Sequence, residues 1–207
     1  MSSPTQPIVP LDEGDLDPDP FVQFVAWLDG ARTAGVHEPE AMTMATASST
    51  GDPSARMVLL RGWGTDGFVF FSNYESRKAG ELDANPRAAL VLFWAPIGRQ
   101  IRIEGTVTRT TDAESDAYFA TRHRGSQISA WASAQSRPIP DRAALEHEVA
   151  DLTRRFGDAP VPRPPNWGGY RLMPASFEFW QHAANRLHDR FRYTPDGQGW
   201  RMERLAP

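Results

Sequence analysis

Short runs of alternating apolar and polar residues, each closed by a turn signal, recur along most of this chain, with no helix set regularly between them. Strand side chains point to opposite faces in turn, so such runs need a sheet with one buried face. Ala41 to Ala47 and Ser54 to Leu60 flank a Ser-Ser-Thr-Gly-Asp-Pro turn, and Gly67 to Ser72 follows a Gly64-Thr-Asp-Gly67 turn. Ala88 to Trp94 and Gln100 to Arg109 read as two more strands. Three others fall near Tyr170 to Met173, Phe177 to Trp180 and Arg186 to Tyr193, the last leading through Asp196-Gly197 into Trp200 to Leu205. The βαβ rhythm of a parallel sheet is missing. The pattern predicts a mainly β fold, an antiparallel barrel of six or more strands with helical decoration.

The helices are few. Asp19 can cap one, Pro20 suits its first turn, and Phe21, Phe24, Val25 and Leu28 form an i, i+3, i+4, i+7 stripe that predicts core packing. Ser76 caps a short helix through Leu82, stopped by Asn85-Pro86. Asp112 to Thr121 and Arg142 to Phe156 also read as helical, and Pro160 to Pro165 as an irregular crossing. Residues 1 to about 18 are rich in Pro, Ser and Asp without apolar periodicity and predict a mobile acidic tail. At 207 residues and 40% hydrophobic, the remainder, 19–207, can bury one core and is expected to be one domain.

Composition removes several function classes. Cysteine is absent, so disulfides, thiolate metal sites and cysteine nucleophiles are excluded. The five histidines lack a His-x-x-x-His pair, and no metal site is expected. There is no Gly-x-Gly-x-x-Gly, Walker loop or Gly-x-Ser-x-Gly elbow. No apolar run is long enough for a membrane span and no secretory signal opens the chain, so a soluble cytoplasmic protein is the simplest reading. A net charge of −4, without a continuous basic and aromatic stripe, argues against nucleic acid.

Anion-binding groups remain. Arg56 and Arg61 bracket Met57, Val58, Leu59 and Leu60. Ser76-Arg77-Lys78 stands at a helix start, where free N–H groups and the helix dipole favour phosphate; an ordinary capped helix with solvated charges is the plainer alternative. Lys78 is the only lysine among 22 basic residues. Tyr118, Arg122 and Ser126, spaced by four, would share one helical face and could hold a second phosphate, or simply decorate a helix. If the C-terminal segment is extended, Arg186, His188 and Arg190 share one face beside Trp180, suiting a flat anionic ligand or merely facing solvent.

Taken in order, these motifs resemble one family. Arg56-Met-Val-Leu-Leu-Arg61, Phe71-Ser-Asn-Tyr-Glu-Ser-Arg-Lys78, Arg99-Gln100, Ser126-Gln127-Ile128-Ser129-Ala130-Trp131, Gln135-Ser136, and Glu178-Phe-Trp-Gln181 with Arg186-Leu-His-Asp-Arg190 are similar to those of the pyridoxamine 5′-phosphate oxidases, as is the ending Arg204-Leu-Ala-Pro207. The resemblance runs from about Asp19 to the C-terminus. It implies a homodimeric FMN-binding split barrel with FMN at the subunit interface. The implied reaction is oxidation of pyridoxine or pyridoxamine 5′-phosphate to pyridoxal 5′-phosphate by O2, releasing hydrogen peroxide, and ammonia from the amine.

Carried over by residue, the resemblance implies that Arg56, Arg77, Lys78 and Ser136 grip the FMN phosphate. The backbone of Met57, Val58, Leu59, Leu60 and Arg61 would run along the flavin, with Phe71 and Ser72 near it. Gln100 and Gln135 would hydrogen-bond the cofactor, and Trp180 and Arg190 would complete its pocket from the partner. Arg61, Tyr118, Arg122 and Ser126 would hold the substrate phosphate. Arg186 and His188 would lie over the pyridine ring as catalytic residues.

Two departures stand out. The family usually has Lys where this chain has Arg61, and many members carry an N-terminal Arg-x-x-Tyr lid where this chain reads Pro7-Ile-Val-Pro-Leu-Asp-Glu-Gly. Two alternatives follow: a related FMN oxidase of the phenazine-biosynthesis type, or a flavin or vitamin B6 carrier without turnover. Tyr118, Arg122 and Ser126 together favour a phosphorylated substrate.

Overall fold

Two long neighbouring strands organise the sheet in the computed structural model, which describes residues 9–207. In chain order the elements are α1 (Pro20–Thr33), β1 (Ala41–Ala47), β2 (Pro53–Leu59), β3 (Gly62–Gly64), β4 (Gly67–Asn73), α2 (Arg77–Ala84), β5 (Arg87–Trp94) and β6 (Arg99–Arg109). There follow α3 (Asp112–Thr121), α4 (Arg124–Ala132), α5 (Arg142–Phe156), β7 (Trp167–Gln181), β8 (Asp189–Asp196) and β9 (Gly199–Arg204). All pairings are antiparallel, in the order β2-β1-β5-β6-β7-β4-β3, with β8 and β9 branching from β7. The expected antiparallel architecture is present, but as an open sheet whose hydrogen-bonded path ends at β2 and β3.

β7 replaces two expected strands. It pairs with β6 from Tyr170 to Gln181, while its other edge pairs first with β4, up to Leu172, and then with β8, from Phe177. Met173 to Ser176 have no strand partner on that second edge. Pro174, which lacks an N–H, sits in this gap, where a ladder donor is not required on that side. Opposite it the β6 register shifts between Glu104 and Gly105. A Cβ on Gly105 would stand 2.0 Å from the Met173 carbonyl oxygen, so only glycine fits the bulge.

The inward faces of β1, β4, β5, β6, β7 and β8 bury Met42, Phe68, Leu90, Ile101, Phe177 and Phe191, with α1 laid against them through Phe24, Trp27 and Leu28. Asp19 caps α1 as expected, but the buried stripe is rotated from the predicted one: Val25 is 39% exposed, and Trp27 and Ala31 are buried instead. A second cluster, Phe119, Ile128, Leu152, Val161 and Trp167, packs α3, α4 and α5 over the start of β7.

Other sequence expectations change. α4 and the short β3 had no strong periodic signal. The strand expected from Arg186 to Tyr193 starts at Asp189, because Ala184–Arg186 forms a 3-10 turn with positive φ at Asn185 and Arg186. The acidic segment from Val9 is packed: Leu11 and Leu16 are buried, the Asp189 carboxylate accepts the Leu11 N–H at 3.0 Å, and Arg204 donates to the Leu11 carbonyl at 2.9 Å. Met1 to Ile8 lie outside the described residues. Among the described residues, no helix is long and apolar enough to cross a membrane.

Gly105→Ala should destabilise the fold by about 1–3 kcal/mol, the usual range for forced overpacking, measured as a lower chemical denaturation midpoint. An unchanged midpoint would show that the bulge tolerates a side chain.

Candidate functional site

A cavity of about 870 Å3 opens beside β2, with β4, the first turn of α2 and the α3–α4 junction around it. Each wall follows from local structure. β2 presents Arg56, Met57, Val58 and Leu59, and Arg61 follows at its end. Leu60 differs: its side chain is 1% exposed and belongs to the core.

One end of the cavity is built on a buried cation. Ser76 caps α2 and brings Lys78 into the first turn, where its Nζ donates to Gln135 Oε1 at 2.7 Å and Ser72 Oγ at 3.1 Å. Lys78 is 8% exposed. Burial, reinforced by the Arg56 charge and opposed by Glu81, pushes its pKa down to about 8. Arg56 donates to the Met44 carbonyl at 3.3 Å, to Thr46 and Ser54, and to Glu81 at 3.1 Å. Arg77 reaches the same carboxylate at 2.8 Å. Burial would raise the Glu81 pKa, but hydrogen bonds from Ser54, Thr46, Arg77 and Arg56 outweigh it and hold the group at about 2. Glu81 was not a sequence candidate; its i, i+4 spacing from Arg77 was the only signal.

The other end gathers Tyr118, Arg122 and Ser126 with Arg61. They do not share one helical face, because α3 stops at Thr121 and Arg122 is extended, at φ −73° and ψ 146°, before α4 begins. The break itself turns all three into the cavity. The Arg122 guanidinium lies 4.6 Å over the Trp167 ring, and its buried Nη1 has no hydrogen-bond partner among the described residues. Burial pushes its pKa below the ordinary value, and Arg61 adds repulsion. A buried, unpartnered donor beside a second cation is a site waiting for an anion. Phe71 stacks on Tyr118 with ring centres 3.9 Å apart and on Trp167 at 5.4 Å, so Trp167, absent from the sequence candidates, stiffens this wall.

The remaining candidates form a separate group that does not line this cavity. Gln100 faces Trp180 across β6 and β7, and Trp180 faces Arg190 across β7 and β8. Arg190 donates to Glu178 at 2.8 Å and to the Ala206 carbonyl at 2.9 Å. The His188 ring lies 4.7 Å from Trp180 and 5.2 Å from His182. Its Nδ1 accepts the Ala183 N–H at 3.1 Å, which leaves Nε2 to carry the proton of the neutral ring. Burial, with His182 and Arg186, pushes its pKa down. Of the supposed period-two face, only Arg190 is in a strand; Arg186 lies in the 3-10 turn at φ 63° and His188 precedes β8. Ser136 is exposed at φ 72°, and Arg77 lies outside the cavity lining.

One outward sheet face links the two groups. Met57, Thr43, Val91 and Arg102 stand side by side across β2, β1, β5 and β6, and Phe93 pairs with Gln100 next to them. Met57 is 62% and Phe93 49% exposed, an apolar surface of the kind a second subunit covers.

Comparison with known proteins gives the family and the fold. Residues 28–155 match the family model described as pyridoxamine 5′-phosphate oxidase, and residues 167–207 match that of the pyridoxine 5′-phosphate oxidase C-terminal dimerisation region. The pyridoxine/pyridoxamine 5′-phosphate oxidase of Rubrobacter xylanophilus is 56% identical over 197 residues, covering 95% of this chain and 91% of the relative. That of Bordetella pertussis is 57% identical over 189 residues, covering 91% and 89%. The crystal structure of PhzG from Burkholderia lata 383, in complex with tetrahydrophenazine-1-carboxylic acid, superposes with a TM-score of 0.91 at 33% identity over the whole of both chains. A pyridoxamine 5′-phosphate oxidase-related, FMN-binding protein from Nostoc punctiforme shares the fold, with a TM-score of 0.70 at 19% identity over 91% of this chain and 98% of that one.

Lys78 sets a pH signature. Its pKa falls from 10.5 unfolded to about 8 folded, so between those values the unfolded chain binds more protons and stability rises with pH. Thermal melts of flavin-free protein should show this rise from about pH 8 to 10, and Lys78→Met should flatten it. A wild-type profile that is already flat there would mean that the ammonium is solvated.

Proposed function

Because the chain belongs to the pyridoxamine 5′-phosphate oxidase family, we propose that its cavity holds FMN at the Lys78 end and a phosphorylated B6 vitamer at the Arg122 end. The protein is a flavin-dependent oxidoreductase of vitamin B6 metabolism, a pyridoxine/pyridoxamine 5′-phosphate oxidase that carries a dimerisation region at its C-terminus.

One observation carries it: a single cavity has a cationic group at each end, bridged by the apolar run Met57 to Leu59. The donors suit a phosphomonoester. Lys78 and Arg56 supply charge, and Arg77 and Ser136 add donors at the rim. Ser72 and Gln135, now hydrogen-bonded to Lys78, are assigned to the cofactor at the same end. Bound there, FMN supplies the hydride-accepting and oxygen-reducing chemistry. Gln100, Trp180 and Arg190 are assigned to the cofactor pocket completed by the partner subunit.

This chain's residues then bind and orient. Arg61, Tyr118, Arg122 and Ser126 hold the substrate phosphate, and the unpartnered Arg122 Nη1 gains the acceptor it lacks. Arg61, in place of the family's usual Lys, offers a fork rather than a point charge. Arg186 and His188, which lie outside the cavity within one chain, would come over the substrate ring from the partner subunit, where a His188 neutral at physiological pH could take the proton leaving the substrate's amine or alcohol. Fixing the vitamer at its phosphate makes its reaction with the cofactor effectively intramolecular.

The likeness to PhzG favours a second reading, oxidation of an unphosphorylated ring. The number of donors at the Arg122 end weighs against it: Arg61, Tyr118, Ser126 and the unpartnered Arg122 Nη1 together match the acceptors of a phosphate dianion better than those of a single carboxylate. A carrier without turnover would produce no hydrogen peroxide.

Purified protein should be yellow and should bleach when pyridoxine 5′-phosphate is added without oxygen, then recover colour and yield hydrogen peroxide in air. Protein that stays yellow would end the assigned reaction and leave the cofactor. His188→Asn should lower turnover about 100-fold, within the range for lost acid–base assistance, with FMN affinity unchanged. Undiminished turnover would remove His188 from proton transfer.

A further inference from the structure

We propose that Glu81 is a positioning residue for the flavin phosphate, aiming Arg56 of β2 and Arg77 of α2 at one point beside Lys78. An acid in a phosphate site is at first sight misplaced, since it repels the ligand. Its surroundings give it another task. Glu81 is 7% exposed, and its two oxygens divide the work. Oε2 accepts from Thr46, from Ser54 at 2.6 Å and from Arg56 at 3.1 Å, and Oε1 accepts from Arg77 at 2.8 Å.

Thr46 and Ser54 fix the carboxylate to β1 and β2, so it cannot follow the arginines; they must come to it. The Arg77 side chain is 64% exposed and would otherwise range through solvent. Among the described residues, Arg56 Nε and the two terminal nitrogens of Arg77 have no protein hydrogen-bond partner, so Arg56 keeps one N–H and Arg77 its terminal pair for a further acceptor. Glu81 also offsets the repulsion among three cations gathered without a ligand, letting Lys78 stay charged close to Arg56.

The inference rests on the FMN reading and is tested separately from it. Flavin-free wild type, Glu81→Gln and Glu81→Ala are titrated with FMN and with riboflavin, which lacks the phosphate, following quenching of flavin fluorescence. Glu81→Ala should weaken FMN by about tenfold or more while riboflavin changes less than about twofold. Glu81→Gln, which keeps an acceptor for Ser54, Thr46 and Arg56, should fall between. Adding Arg77→Ala to Glu81→Ala should cost less than Arg77→Ala alone.

Equal weakening of both flavins would reduce Glu81 to structural support, and tighter FMN binding would make it a mere source of repulsion; either overturns the proposal. If both Glu81 variants fail to fold, Ser54→Ala, which removes one fixing of the carboxylate, must still lower the FMN-to-riboflavin preference, and an unchanged preference overturns the proposal as well. A wild type that refuses FMN sinks the cofactor reading instead.

Discussion

The antiparallel pairing of β6 with β7 is the constraint on which the molecule depends. β7 keeps β6 on one edge while its other edge changes from β4 to β8. The change leaves Trp167 at one end of the strand, where it backs the Arg122 guanidinium, and Trp180 at the other, where it meets His188 and faces Arg190. One strand therefore sets the spacing between the group lining the cavity and the group outside it. The Gly105 bulge and the donorless Pro174 stand where the partner changes, so local chemistry and global topology agree.

Electrostatics in the cavity follow from burial more than from net charge. The chain is acidic overall, yet it places Arg56, Lys78, Arg61 and Arg122 around one space. Each end handles its excess differently. At the Lys78 end a buried carboxylate binds Arg56 and, from outside the lining, Arg77, while Gln135 and Ser72 accept from the ammonium. At the Arg122 end the cavity lining holds no carboxylate among the described residues, and the guanidinium rests on aromatic faces with one nitrogen unmet by them.

Much of the fold was legible because strand alternation and turn residues act locally. β1, α3 and α5 have the boundaries their patterns predict, and Ser76 and Asp19 cap the helices they should. The misreadings share a physical origin. Arg186 and His188 left the expected strand because Asn185 and Arg186 take positive φ, which alternation cannot signal. Tyr118, Arg122 and Ser126 kept helical spacing across a break in the helix, so they converge for a reason other than periodicity. Glu81 and Trp167 escaped notice because an acid in a phosphate site and an aromatic at a strand start each look structural until their neighbours are known.

The buried ammonium of Lys78 has an effect beyond recognition. A charge held out of water is a standing cost to the folded chain, and an arriving dianion relieves it. If the flavin phosphate binds there as proposed, loaded copies would be more stable than flavin-free ones, and the flavin-free copies would be the more open to unfolding and proteolysis.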